Sequence, residues 1–139
     1  MTPDIGLSGA VCTSVVTPNQ LVQSSSENDT KGIAIFEGNG RFAQIVLRPD
    51  LPKIASNNAM TGTADENKAV VQGSAAFYGG WSVNENDGSV STHIDGSTYP
   101  NWDGQDQKRT VSISGDEMKM CVPGAQIGGT ACAIWKRVK

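Results

Sequence analysis

Apolar and polar residues along this chain alternate in short runs, and clusters of Gly, Asn, Asp and Pro separate the runs. A two-residue period broken at close intervals by turn formers is the pattern of many short strands. Residues 9–17 (GAVCTSVVT) make the first run, and the polar, Ser-rich stretch from Pro18 to Thr30 reads as a loop. Gly32–Glu37 is the second strand. Gly38-Asn39-Gly40 supplies a tight turn, because Asn and Gly accept positive φ. Arg41–Arg48 (RFAQIVLR) is the third strand, stopped by Pro49. Further strands are predicted at Ala75–Glu85, Ser89–Asp95, Gln107–Ser114, Glu117–Val122 and Thr130–Val138, which makes eight.

One stretch departs from this period. Thr63-Ala64-Asp65-Glu66 fits a capping box, in which Thr63 accepts from a backbone N–H and Glu66 reaches back. Ala69, Val70 and the terminating Gly73 then complete a short helix near residues 64–73. Most successive strands are joined by short loops and are therefore antiparallel neighbours. Eight such strands can close on themselves, which removes both sheet edges. The expected fold is all-β, an eight-stranded antiparallel up-and-down barrel over residues 1–139 as one domain, wide enough to be filled or to hold one small ligand.

Composition narrows the partners. The chain has 139 residues and a net charge of −3, and its 11 Lys and Arg are scattered without a run. Phosphate binding needs clustered positive charge, so the pattern argues against nucleic acid. Apolar runs of about five residues fall far short of a membrane helix. Met1-Thr2-Pro3-Asp4 shows neither a basic nor an apolar leader region, so no signal peptide is expected as given, and a mature secreted chain would look the same. Localisation is open. A single histidine and three cysteines without C-x-x-C spacing argue against a zinc site, and no cofactor is expected. Cys121 and Cys132 flank a hairpin centred near Gln126 and fall opposite each other. They suit a cross-strand disulfide in an oxidising compartment, or otherwise two small buried residues. Cys12 is left over. Asn28-Asp29-Thr30 is a glycosylation sequon by letter.

The runs KGIAIFEGNGRFAQIVLRPDLPKIASNN, TADENKAVVQGSAAFYGGWSVNE, HIDGSTYPNWDGQDQKR and the terminal AIWKR, in this order from Lys31 to Lys139, resemble the lipocalin-like domain family of the calycin group. The resemblance implies a closed barrel with an internal site for small, often apolar molecules, and it implies fold more than activity. Such proteins usually open with a Gly-x-Trp element, whose Trp closes the barrel base against an Arg of the last strand. Here Gly9 is followed by Ala10 and Val11, so Arg137 would face Val11 in place of the tryptophan.

Candidate chemistry gathers around the loop STYPNWDGQDQKR. Arg109 shares a face with Val111 and Ile113, which directs its guanidinium inward. A buried Arg requires partners, and Asp95, Asp103, Asp106 or a ligand anion could supply one. Counting outward from Asn101 sets His93 opposite Arg109. His93 faces solvent if Val90 and Ile94 face the core, and lines the interior if that wall is polar. Trp102 either lies over the barrel mouth as a lid or packs outside it. Tyr78 and Trp81 flank Gly79-Gly80, which marks a bulge or a close backbone approach. Tyr99 and Asn58 are further candidates to line a ligand, and Met60, Met118 and Met120 read as packing.

Three functions compete. A small-molecule-binding barrel would use Trp102, Arg109, His93, Tyr78, Trp81, Tyr99 and Asn58 around a largely apolar ligand with an anionic or carbonyl group. A cofactor-free isomerase, cyclase or hydratase of secondary metabolism would use His93 as proton carrier, with Arg109 or Tyr78 polarising an oxygen. A structural protein would fill the barrel with its own side chains. No metal site is expected.

Overall fold

The computed structural model describes residues 9–14, 31–124 and 129–138, with the side chain of Ser14 left aside. Eight strands form one closed barrel in chain order: β1 (Ala10–Ser14), β2 (Lys31–Phe36), β3 (Arg41–Leu47), β4 (Ser74–Val83), β5 (Val90–Ser97), β6 (Asp106–Ser114), β7 (Glu117–Val122) and β8 (Ala131–Arg137). Every neighbouring pair is antiparallel, and β1 closes the barrel on β8 through Cys12↔Arg137, Thr13↔Lys136 and Ser14↔Trp135. The helix α1 (Ala64–Gln72) is capped by Thr63 and Glu66 in a full capping box. Glu66 also accepts from the Ala55 N–H at 3.0 Å, tying the preceding loop to the helix. These bonds hold its carboxyl below the usual carboxylate range. The region from Pro18 to Thr30, the sequon and Gln126 lie outside the described residues.

An up-and-down barrel sends alternate connections to opposite ends. Here the short turns after β2, β4 and β6 share one end, the base. Among the described residues, the longer connections 48–73 and 98–105 share the other, the mouth. Tight turns leave the base little to vary, while the mouth carries most of the chain that is not strand. Among the described residues, no helix is long and apolar enough to cross a membrane.

Inward positions follow the two-residue period. Ala34 and Phe36 on β2, Phe42 and Val46 on β3, Ala75 and Phe77 on β4, Val90 and Ile94 on β5, Met118, Met120 and Val122 on β7, and Ala131, Ala133 and Trp135 on β8 are all buried. An aromatic series threads the interior. Trp81 meets Phe36 edge-on at 5.6 Å, Phe36 stacks on Phe42 at 6.0 Å, and Phe42 meets Phe77 edge-on at 6.1 Å. Each such contact adds about 1 kcal/mol beyond area burial. Met60, expected to pack, is 90% exposed in the mouth loop, because the short 3-10 turn over Ala59–Thr61 buries none of its residues.

At the base, the inward residue opposite Arg137 is Cys12, not Val11, since β1 turns Ala10 and Cys12 into the barrel. Cys12 is a buried free thiol, and burial pushes its pKa up despite the nearby Arg137 charge. Trp135, two residues back along β8, fills the interior above it. The remaining void beside Cys12 and Arg137 is about 10 Å³. On the outer wall, Cys121 and Cys132 are directly opposed on β7 and β8 and joined sulfur to sulfur at 2.11 Å.

The glycines of β4 mark an irregularity. The β4–β5 register slips between Tyr78 and Gly79, and a Cβ on Gly79 would collide with the carbonyl of His93. The two backbones therefore touch where no other residue fits. At Gly80 an added Cβ would meet only the Gly40 carbonyl, at 3.5 Å. Gly79→Ala is expected to destabilise the fold by about 3 kcal/mol through overpacking against backbone. Gly80→Ala should cost less than about 1 kcal/mol. Urea denaturation of both variants beside the wild type measures the contrast.

Candidate functional site

The site begins with the inward face of β6. Gln107 and Arg109 both point into the barrel, and the guanidinium of Arg109 is completely buried. Its Nε donates to Thr92 Oγ1 at 3.2 Å, Nη1 to Gln44 Oε1 at 3.0 Å, and Nη2 to Gln107 Oε1 at 2.9 Å. Nη1 also lies 3.7 Å from the Met120 sulfur. Aromatic rings enclose the remaining surface. The Arg109 carbon Cζ stands 5.0 Å from the Phe77 centroid, 5.7 Å from Phe42 and 6.0 Å from Trp102. These are cation–π distances.

Every hydrogen-bond partner is neutral. Among the described residues no carboxylate pairs with Arg109, since Asp95 pairs with Arg41 at 2.7 Å and Asp106 with His93 at 2.7 Å, both on the outer wall. Desolvation alone lowers the guanidinium pKa from its ordinary value to about 9. A fall of that size corresponds to a burial cost on the order of 5 kcal/mol for the charged form. The neutral acceptors and aromatic faces offset part of it, but the site retains an excess positive charge in a low-dielectric interior.

Trp102 covers this charge from the mouth. Residues Pro100–Trp102 form a single 3-10 turn that tips the indole into the barrel, where it is 2% exposed. It is the one member of the buried core cluster, among the described residues, that does not come from a strand. Its ring meets Phe77 edge-on at 5.1 Å and Tyr99 at 5.9 Å, and its Nε1 donates to the Gly124 carbonyl at 3.0 Å. The last bond ties the β5–β6 connection to the β7–β8 connection across the mouth. Deeper in the barrel, the buried Trp135 Nε1 has no hydrogen-bond partner among the described residues.

The other candidates fall elsewhere. His93 lies on the outer wall with its side chain 52% exposed, beside Asp106 and Asp95. It is not opposite Arg109: the pairs are His93↔Asp106 and Val90↔Arg109. The hairpin is asymmetric, because Ile94 still bonds to Gln105 and Gly104 while Tyr99–Asp103 coil into the 3-10 turn. The pairing is thus offset by an odd number of residues from the symmetric count, which puts His93 and Arg109 on opposite faces. The acid–base reading loses that proton carrier from the interior. Tyr78 is also outside, 51% exposed, with its ring over Gly96, the cross-strand glycine that makes room for it. Trp81 sits at the base end and donates to the Glu37 carbonyl at 2.9 Å. Asn58 is exposed and caps its own loop by accepting from the Met60 N–H at 2.9 Å. Only Arg109, Trp102 and Tyr99 of the predicted set come together.

The interior partners Gln44, Thr92 and Gln107 carry a signal in the sequence. In Phe42-x-Gln44-x-Val46 and Val90-x-Thr92-x-Ile94 a polar side chain holds an inward position between two apolar ones. Gln107 stands two residues from Arg109 on the same face. Open depressions of about 380 Å³ near His93 and about 360 Å³ near Tyr78 lie on the outer wall.

A family model described as a lipocalin-like domain matches residues 12–138 of the chain. No curated protein matches it significantly.

The depressed pKa has a sign that can be tested. Between about 9 and the ordinary arginine value the unfolded chain keeps the Arg109 proton while the folded chain releases it. Folding stability from this group therefore rises with pH above about 9, and below that pH the burial penalty is present in full. Relative to Arg109→Gln, the wild type is expected to gain roughly 1–2 kcal/mol of stability from pH 8 to pH 10.5. Paired urea titrations at the two pH values measure this difference, in which the other alkaline groups cancel.

Proposed function

Since the chain belongs to the lipocalin-like domain family, whose fold supports a small-molecule-binding barrel, we propose that it takes a small, largely apolar molecule into the mouth half of the barrel. The ligand carries an anionic or strongly polar carbonyl oxygen that Arg109 anchors. The observation that supports this reading is the guanidinium itself, fully buried and bonded only to neutral acceptors. An oxyanion beside it would meet a charge already stripped of water, where Coulomb attraction is much stronger than at the surface. The apolar body would lie along Phe42 and Phe77, the faces that already flank the cation.

In this reading, a ligand that reaches Arg109 from the mouth meets Trp102, which would have to leave to admit it. Trp102 is the residue best placed to do so. It is carried by a short 3-10 turn at the mouth and held by one indole hydrogen bond to a loop carbonyl. Its aromatic contacts with Phe77 and Tyr99 would be replaced by contacts with the ligand. In this reading Trp102 is a lid that fills the site when it is empty, and Tyr99 is part of the rim.

The test compares carboxylates with their methyl esters, in aliphatic and aromatic series, by thermal denaturation. A carboxylate that fits should stabilise the wild type by about 2–3 kcal/mol at a concentration near 100 times its Kd. The stabilisation should be absent in Arg109→Gln. Ligand entry should also change the emission of Trp102, a change lost in Trp102→Phe. An undiminished effect in Arg109→Gln would remove the anchoring role from Arg109, and equal stabilisation by acid and ester would remove the anion and leave the carbonyl oxygen as the anchored group.

A further inference from the structure

The outer wall of the barrel is not uniform. Over β5, β6 and β7 the outward positions are polar: Ser91, His93 and Asp95, then Lys108, Thr110 and Ser112, then Glu117 and Lys119. Over β2, β3 and β4 they are largely apolar, and the register sets them side by side. Ile33, Ile45 and Ala76 form one row, and Ile35, Ala43 and Tyr78 the next. Ile45 is 41% exposed and Tyr78 51%. The sequence shows the same thing as unbroken apolar runs, GIAIF in β2 and FA-IVL in β3 either side of Gln44. Antiparallel strands with one solvated face commonly alternate apolar and polar residues, and β2 and β3 depart from that alternation.

The ends of this face are charged in opposite senses. Along β2 the outward residues run Lys31, Ile33, Ile35, and then Glu37 just past the strand, with both charged residues exposed. This order is complementary to itself when reversed. A two-fold axis between Ile33 and Ile35 brings each lysine to the other copy's glutamate and each isoleucine to the other copy's isoleucine. We propose that the β2–β4 face is an isologous interface between two copies of this chain, with Ile33, Ile35, Ala43, Ile45 and Tyr78 at its centre and the Lys31 and Glu37 pairs at its ends. Two-fold symmetry demands this kind of self-complementarity. At strand spacings of about 4.8 Å and rises of about 3.3 Å per residue, the apolar centre covers only a few hundred Å². A standard interface buries about 800 Å² per partner, so the dimer is a weak one, with a Kd in the micromolar range.

Sedimentation equilibrium over a concentration series tests the interface on the full chain. The wild type should pass from monomer to dimer in the micromolar range. Ile45→Lys and Ala43→Lys, both at exposed outer-wall positions, should each shift the midpoint by at least about tenfold while leaving the thermal unfolding of the monomer unchanged. Using two variants keeps the test valid if one of them folds poorly. Lys31→Glu alone and Glu37→Lys alone should each weaken association by about three- to tenfold, and the double exchange should restore it. A chain that remains monomeric at several hundred micromolar, or a dimer indifferent to both lysine substitutions, overturns the proposal. Failure of the double exchange to restore association overturns the two-fold arrangement. None of these outcomes depends on whether the barrel binds a ligand.

Discussion

Closing eight strands into a barrel gives every inward side chain neighbours from across the interior, and Arg109 decides what several of those neighbours must be. A guanidinium sealed from water needs acceptors for its donors and polarisable faces for its plane. Gln44 on β3, Thr92 on β5 and Gln107 on β6 supply the first, and Phe42, Phe77 and Trp102 the second. Four of the eight strands and one mouth loop are thus committed to a single side chain. Glutamine in place of glutamate has a further effect. It satisfies the hydrogen bonds without neutralising the charge, so the interior keeps an electrostatic demand that the described residues do not meet.

The two ends of the barrel are built differently. The base is set by short turns, by Trp81 bonded to the Glu37 carbonyl, and by Trp135 above Cys12 and Arg137. The first-strand tryptophan expected from the family pattern is missing, and a tryptophan on the last strand occupies the interior there. The mouth gathers the longer connections, and the Trp102–Gly124 bond joins two of them. Short turns at one end and latched loops at the other fit the proposed entry of a ligand from the mouth.

How much of this is legible in the sequence depends on the kind of signal. The eight strands, the capped helix and the Gly79-Gly80 irregularity can be read because each rests on local chemistry: period, cap, or the absence of a Cβ. The inward direction of Arg109 follows from parity within one strand. The position of His93 relative to Arg109 does not. It depends on the register across a loop that coils into a 3-10 turn on one side only, and an odd offset reverses the face. Tyr78 and Asn58 lie away from the Arg109 cluster for a similar reason, since an aromatic ring over Gly96 and an amide capping its own loop are satisfied locally. The glutamines escape notice because a polar residue at an inward position reads as a break in the pattern, when it is the mark of a buried ion's partner.

The seam between β1 and β8 has a consequence for how the barrel forms. Seven of the eight strand pairings join neighbours in the chain and can zip up hairpin by hairpin. The eighth joins segments well over a hundred residues apart through the pairs at Cys12, Thr13 and Ser14. Its loop-closure entropy is the largest in the molecule, and its contacts are among the fewest. The curled sheet must therefore assemble first and close last, and the same seam should be the first to part when the native protein fluctuates. Amide hydrogen exchange along β1 would then report the rate at which the barrel opens, separately from the rate at which its hairpins melt.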